Sequence, residues 1–149
     1  MGKARVMLRK LTATSATWAT LPLRLALGVI FIAHGAQKVF GIWEGPGLRA
    51  FINFPPPYSF MRPAWLWMGA AAVGELLGGI LVLLGLFTRV GAFLIVCIML
   101  TAMLGVHWGK GFFMSSMGIE FTLALLGMAL ALLIAGGGQA SADKMISRR

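Results

Sequence analysis

Four long apolar stretches alternate with short polar or proline-containing segments along this chain. Each is about as long as a membrane-crossing helix, since about 20 residues at roughly 1.5 Å each traverse the hydrocarbon core. The pattern predicts an all-α integral membrane protein, a four-helix bundle with spans at about 21–40, 64–87, 89–107 and 118–136. Pro22 suits a first helical turn, and Gly136-Gly137-Gly138 suits a C-terminal stop, because glycine accepts left-handed backbone. The second and third spans are separated by little more than Thr88-Arg89, which makes them antiparallel neighbours. The 41–63 connection contains Pro46, Pro55, Pro56 and Pro57, so no continuous helix crosses it, although 48–54 could form a short interfacial helix.

Within this pattern one residue stands out. Glu75 lies halfway along an otherwise uncharged run of more than twenty residues. A carboxyl group at that depth costs roughly 2.5–3.5 kcal/mol to insert and normally faces a bundle interior or cavity. Glu75 thus marks a buried polar site.

Composition agrees with the membrane reading. The 149 residues are 59% hydrophobic and 11% charged, where a soluble domain carries about 25% charged residues. Three regions follow: a basic N-terminal tail over 1–20, a four-helix unit over 21–136 and a basic C-terminal tail over 137–149. The net charge of +9 does not point to nucleic acid, because the basic residues concentrate at the chain ends, where topology and anionic headgroups explain them. With both termini in the cytoplasm, Lys3, Arg5, Arg9, Lys10, Arg89, Lys144, Arg148 and Arg149 lie inside, and Lys38, Arg49, Arg62 and Lys110 lie outside or near that boundary. That bias favours cytoplasmic termini. Trp43, Trp65, Trp67 and Trp108 fall near the outer interface and Trp18 near the inner one, as an aromatic belt requires. Arg24 and Arg89 sit near the inner boundary and read as topology and lipid anchors. The first apolar run is too long, and too far behind its basic leader, for a cleaved signal peptide. Cys97, the single cysteine, reads as packing.

Small residues supply a packing rationale: Gly74 and Gly78 form a GxxxG in the second span, and Gly127 and Ala131 a similar patch in the fourth. The polar residues fall into one half of the bundle. His34, Gln37 and Lys38 share a helix face at i, i+3 and i+4. His34 lies roughly 9 Å and Glu75 about 16 Å below the outer boundary, by helical rise. His107 ends the third span there and Glu120 begins the fourth. Each has a plainer alternative: Lys38 snorkelling, His107 as an interfacial histidine, Glu120 favoured by a helix N-terminus.

Among site chemistries, haem is disfavoured because the two histidines lie at different depths and no CxxCH is present. A metal is not expected: the Glu-x-x-His of di-iron bundles fails at Gly78. No phosphate loop, nucleophile elbow or dinucleotide fingerprint is found. A quinone, bound without covalent attachment, suits an apolar slot with one or two hydrogen-bonding heads, and a histidine with a carboxylic acid suits its proton exchange.

Three segments carry a family resemblance. His34-Gly35-Ala36-Gln37-Lys38-Val39-Phe40-Gly41 resembles the end of the first helix of DoxX-like membrane proteins. Glu75-Leu76-Leu77-Gly78-Gly79, with Gly85-Leu86-Phe87-Thr88-Arg89, is similar to the family's second-helix signature. His107, Gly111-Phe112-Phe113 and Gly118-Ile119-Glu120 resemble its third-to-fourth helix region. The resemblance implies four transmembrane helices in a bacterial or archaeal cytoplasmic membrane, and a role in quinone-linked oxidation of sulfur compounds or in thiol and oxidative-stress systems. It carries over no catalytic residues. Phe54-Pro55-Pro56-Pro57 departs from the Gly-x-Pro-like turn usual in the family. Expected partners are the bilayer and either other membrane or redox subunits or further copies of the chain. The alternative role is a non-catalytic accessory subunit packed against a larger membrane complex.

Overall fold

A computed structural model describes residues 6–7 and 10–147; Lys3, Arg5, Arg9, Arg148 and Arg149, central to the orientation argument, lie outside the described residues. The helices are α1 (Thr20–Phe40), α2 (Gly47–Phe51), α3 (Ala64–Leu84), α4 (Thr88–Ala102), α5 (Glu120–Ala135) and α6 (Ala142–Ser147). Beyond Ala102, α4 continues through a π turn, Met103–His107, and a 3-10 turn, Trp108–Lys110, so its helical path runs Thr88–Lys110. Four of these helices form the expected bundle, and no strand occurs among the described residues. The short α2 occupies the 41–63 connection where an interfacial helix was predicted.

Around the bundle, α1 packs on α3, α3 on α4 and α4 on α5, with a slighter contact closing α5 onto α1. Leu27, Phe31, Val82, Ile95, Leu125 and Leu132 fill the centre. The surface is inside-out relative to a soluble bundle. On α3 the buried positions are Ala72, Glu75, Gly78, Gly79 and Val82, while Val73, Leu77, Ile80 and Leu84 point outward. In each of the three longest apolar helices only about a third of the span is buried (33%, 28% and 33%). An exterior that is apolar over the remaining two thirds is matched by lipid, and small residues at the interfaces supply the close packing that membrane helices rely on. The protein is therefore an integral membrane helical bundle.

The small-residue reading succeeds at one interface and fails at another. A Cβ at Gly78 would lie 3.1 Å from the Ile95 side chain and 3.2 Å from the Gly91 carbonyl, so α3 and α4 meet there. The closest approach, of α1 to α3, uses Gly35 and Gly79: a Cβ would stand 2.5 Å from the Leu76 nitrogen in the first case and 2.7 Å from the Ile32 nitrogen in the second. Gly127 has nothing within 4 Å, so at that position α5 packs against none of the described residues.

Helix ends shift from expectation for local reasons. Helix α3 stops at Leu84 because Gly85 turns left-handed (φ 65°), and Phe87 follows at φ 45°. Helix α5 spans 16 residues, bounded by Gly136 at φ 75°. Where described, the segments read as basic tails bond to the ends of the bundle helices. Ser15 donates from its amide to Ala135 O at 2.9 Å and from its hydroxyl to the same oxygen at 2.7 Å. Residues 136–147 turn back beneath the bundle, with Asp143 donating its amide to Gly85 O at 2.9 Å. The three glycines after α5 permit that reversal, which a composition-based boundary at 137 does not anticipate.

Candidate functional site

At the end of the bundle that carries the long connections, Lys38 of α1 meets Glu75 of α3. The ammonium donates to Glu75 Oε1 in a short ion pair; the side chain of Lys38 is 24% exposed and that of Glu75 4%. The pairing follows from helix register: Phe31, Gly35 and Lys38 continue one inward stripe of α1, and Gly35 and Gly79 bring the two backbones together beside it. The ammonium also lies 5.2 Å from the centre of the Phe51 ring, a cation–π distance. Phe51 is buried and packs edge-on against Phe54 at 5.6 Å, so α2 roofs the pair. The second carboxylate oxygen, Oε2, is buried and has no hydrogen-bond partner among the described residues.

The other expected residues divide. Gln37 donates from Nε2 to Trp43 O at 3.2 Å and ties the turn after α1. His34 is exposed on the flank of α1 and makes no hydrogen bond among the described residues. His107 places Nδ1 2.6 Å from Met117 O. Glu120 accepts the Met114 N–H through Oε1. The last two therefore hold the 111–119 loop, and no hydrogen bond or ion pair joins them to Lys38 or Glu75 among the described residues. Nor do three or more His, Cys, Asp or Glu side chains gather there with metal-binding geometry.

The opposite end holds a second polar centre that sequence reasoning mostly missed. Arg24, expected to anchor at the lipid boundary, is instead buried at 3% exposure. Its guanidinium donates to Val82 O (3.0 Å), Leu83 O (2.9 Å), Gly137 O (3.0 Å) and Ala140 O (2.6 Å). It thus bonds carbonyls of the last turn of α3 and ties them to the returning C-terminal segment. Thr20 adds a bond to Gly137 O at 2.9 Å. Asp143, 1% exposed, accepts the amides of Phe87 (2.7 Å) and Thr88 (2.9 Å). It caps α4 from a segment distant in sequence. Arg89 is also bonded to backbone, to Ala13 O at 3.0 Å and Ile134 O at 2.8 Å. The available signal for Asp143 was its sign, as the lone acidic residue in a basic segment.

The two ends differ in kind. Around Arg24 and Asp143 the charged groups are satisfied by backbone, which is structural work. At Glu75 a carboxylate oxygen is left over among the described residues, and Phe51 of α2 lies over its lysine partner.

The sequence profile of the DoxX family matches residues 19–108. The chain belongs to the DoxX family. Among curated proteins it is 34% identical over 113 residues to "Putative oxidoreductase CatD" of Bacillus subtilis (strain 168), covering 76% of this chain and 77% of that protein. No solved structure matches. The DoxX match takes in α1 through Trp108 in the last turn of the α4 path, and with it Lys38, Phe51, Glu75 and Arg24. Asp143 and α5 lie beyond it.

Proposed function

We propose that this DoxX-family protein is a membrane subunit supporting quinone-linked redox chemistry, of the kind coupled to sulfur compounds or to thiol and oxidative stress, and that Lys38 and Glu75 hold the quinone head. The observation that carries the reading is the orphaned Oε2 of Glu75 beside a charged lysine. A buried acceptor without a donor costs about 1–3 kcal/mol, and a ligand hydroxyl would remove that cost. Lys38 supplies the complementary donor for a carbonyl oxygen. The pair thus accommodates both the hydroxyl and the carbonyl of a quinone/quinol couple, and the quinone itself supplies the electron-carrying chemistry when bound. The oxidoreductase name of the Bacillus relative supports a redox role.

The same reading places both termini in the cytoplasm of a bacterial or archaeal cell and the Lys38–Glu75 pair in the outer half of its inner membrane, on the distribution of basic residues. The test is binding of a short-chain hydroquinone to the protein in lipid nanodiscs. Glu75→Gln should weaken it at least tenfold while the variant still elutes as a folded particle. Unchanged affinity would remove Glu75 from the site.

One observation favours the accessory-subunit reading. Gly127 faces outward from α5 with nothing within 4 Å, a shape that suits a helix of another membrane protein. Weighing the particle extracted in mild detergent separates the two: stoichiometric residence in a larger assembly supports the accessory role, and a small oligomer carrying quinone supports the redox subunit.

A further inference from the structure

Helix α5 is short for its task. Its 16 residues span about 24 Å at 1.5 Å each, roughly 6 Å less than a typical hydrocarbon core. Helix α4 does not share the deficit, because its path over Thr88–Lys110 has 23 residues and spans roughly 34 Å by the same rise. The two are level at the end that carries Arg24 and Asp143, where Arg89 donates to Ile134 O at 2.8 Å. The connection between their other ends must therefore descend. It does: His107 Nδ1 lies 2.6 Å from Met117 O, which sets Met117 beside the turn that precedes Lys110.

That descending loop has two properties that an aqueous loop does not need. First, the amides of its second half are paired with carbonyls of its first half. Ser116, Met117, Gly118, Ile119 and Glu120 donate their amides to Phe113 O (3.1 Å), Met114 O (2.8 Å), Phe113 O (2.9 Å), Gly111 O (3.1 Å) and Phe112 O (2.9 Å). The Met114 amide goes to the Glu120 carboxylate, and the Ser116 hydroxyl returns to Phe113 O at 2.9 Å. Second, four of its six exposed side chains from 112 to 117 are large and apolar: Phe112, Phe113, Met114 and Met117, beside Ser115 and Ser116. Between Lys110 and Glu120 it carries no charge. Internal pairing of backbone groups is what lipid, which offers no hydrogen bonds, demands of any segment it contacts.

We infer that the 111–119 loop is inserted in the bilayer, with Phe112, Phe113, Met114 and Met117 in contact with acyl chains, and that it completes the hydrophobic span which α5 alone leaves short. Lys110 and Trp108 then mark the headgroup level on the α4 side. His107 and Glu120 acquire a defined role as the two clamps that keep the loop folded at that depth.

Nitroxide labelling in phospholipid vesicles tests this. In a Cys97→Ser background, single cysteines at Phe113 and Met117 are labelled, with Lys110→Cys as the headgroup reference. Relaxation enhancement by oxygen should exceed that by a water-soluble nickel chelate several-fold at 113 and 117, and the order should reverse at 110. Nickel-dominated relaxation at 113 and 117 would overturn the inference by placing the loop in water. Protection from both agents would overturn it as well, by placing the loop against another protein or a second copy. Thermal melting of each labelled protein identifies a variant that has lost its fold, and Ser115→Cys then replaces it as the probe of the same loop.

Discussion

Asp143 accepts the backbone amide of Thr88 at 2.9 Å although the two residues lie 55 positions apart. Helix α4 thus receives its N-terminal cap from the segment that follows α5. The second carboxylate oxygen takes the amide of Phe87 at 2.7 Å, in the left-handed turn between α3 and α4. One buried side chain therefore joins the α3–α4 hairpin to the end of the chain. Loss of a capping oxygen costs about 0.5–2 kcal/mol. Asp143→Ala should lower the melting temperature in detergent by several degrees, and Asp143→Asn, which keeps one acceptor, by less. An unchanged melting curve for Asp143→Ala would show that the cap does not contribute.

Arg24 is the complementary fastener, and its planar fork matters. Four carbonyls from two separate segments converge on three nitrogens. Lysine brings a single nitrogen and cannot reach that divergent set. Arg24→Lys should therefore destabilise nearly as much as Arg24→Met, on the order of 3 kcal/mol if two or more carbonyls are left without donors. A lysine variant that melts like the wild type would contradict the clamp and return Arg24 to the role of a simple positive anchor.

How far the sequence revealed this arrangement differs from residue to residue. Glu75 was legible because a carboxyl group inside an apolar run has few reasons to be there, and Lys38 because it shares a helix face with His34 and Gln37 by spacing. His34 shares a face with Lys38 by spacing, yet Lys38 turns inward to Glu75 while His34 is exposed on the flank of the helix. Arg24 was misread since a basic residue near a span end has the same appearance whether it snorkels or turns inward. What decides between them is the fold-back of 136–147, a tertiary event that depends on glycine conformations and leaves little trace in hydropathy. His107 and Glu120 were found as polar positions but joined to the wrong partners, because depth along a helix says nothing about which loop passes beside it.

Glycine substitutions separate true interfaces from mere small-residue patterns. Gly35→Ala would drive a methyl into the Leu76 backbone, where no side chain can rotate away. It should cost about 1–3 kcal/mol as overpacking and part Lys38 from Glu75. Gly127→Ala meets nothing within 4 Å and gains helix propensity of about 1 kcal/mol, so it should stabilise the isolated protein slightly. Melting both variants side by side checks the contrast. A destabilised Gly127→Ala protein would mean that α5 packs against another chain.

The Lys38–Glu75 pair makes the last and most discriminating prediction. Removing one member of a buried ion pair costs about 3–5 kcal/mol, whereas replacing both by apolar residues of similar volume is near neutral. Lys38 is partly exposed, so its own loss should fall below that range, while Lys38→Met leaves Glu75 with neither oxygen paired. Lys38→Met and Glu75→Met should each destabilise, and the double variant should recover much of the stability of the wild type. Melting temperatures of the four proteins give the coupling directly. Simple additivity would mean that the two side chains act independently. If coupling is found, the double variant becomes the useful reagent: a bundle with its fold intact and its polar pair erased. Failure of that protein to bind hydroquinone would then reflect the chemistry of the pair and not a damaged fold.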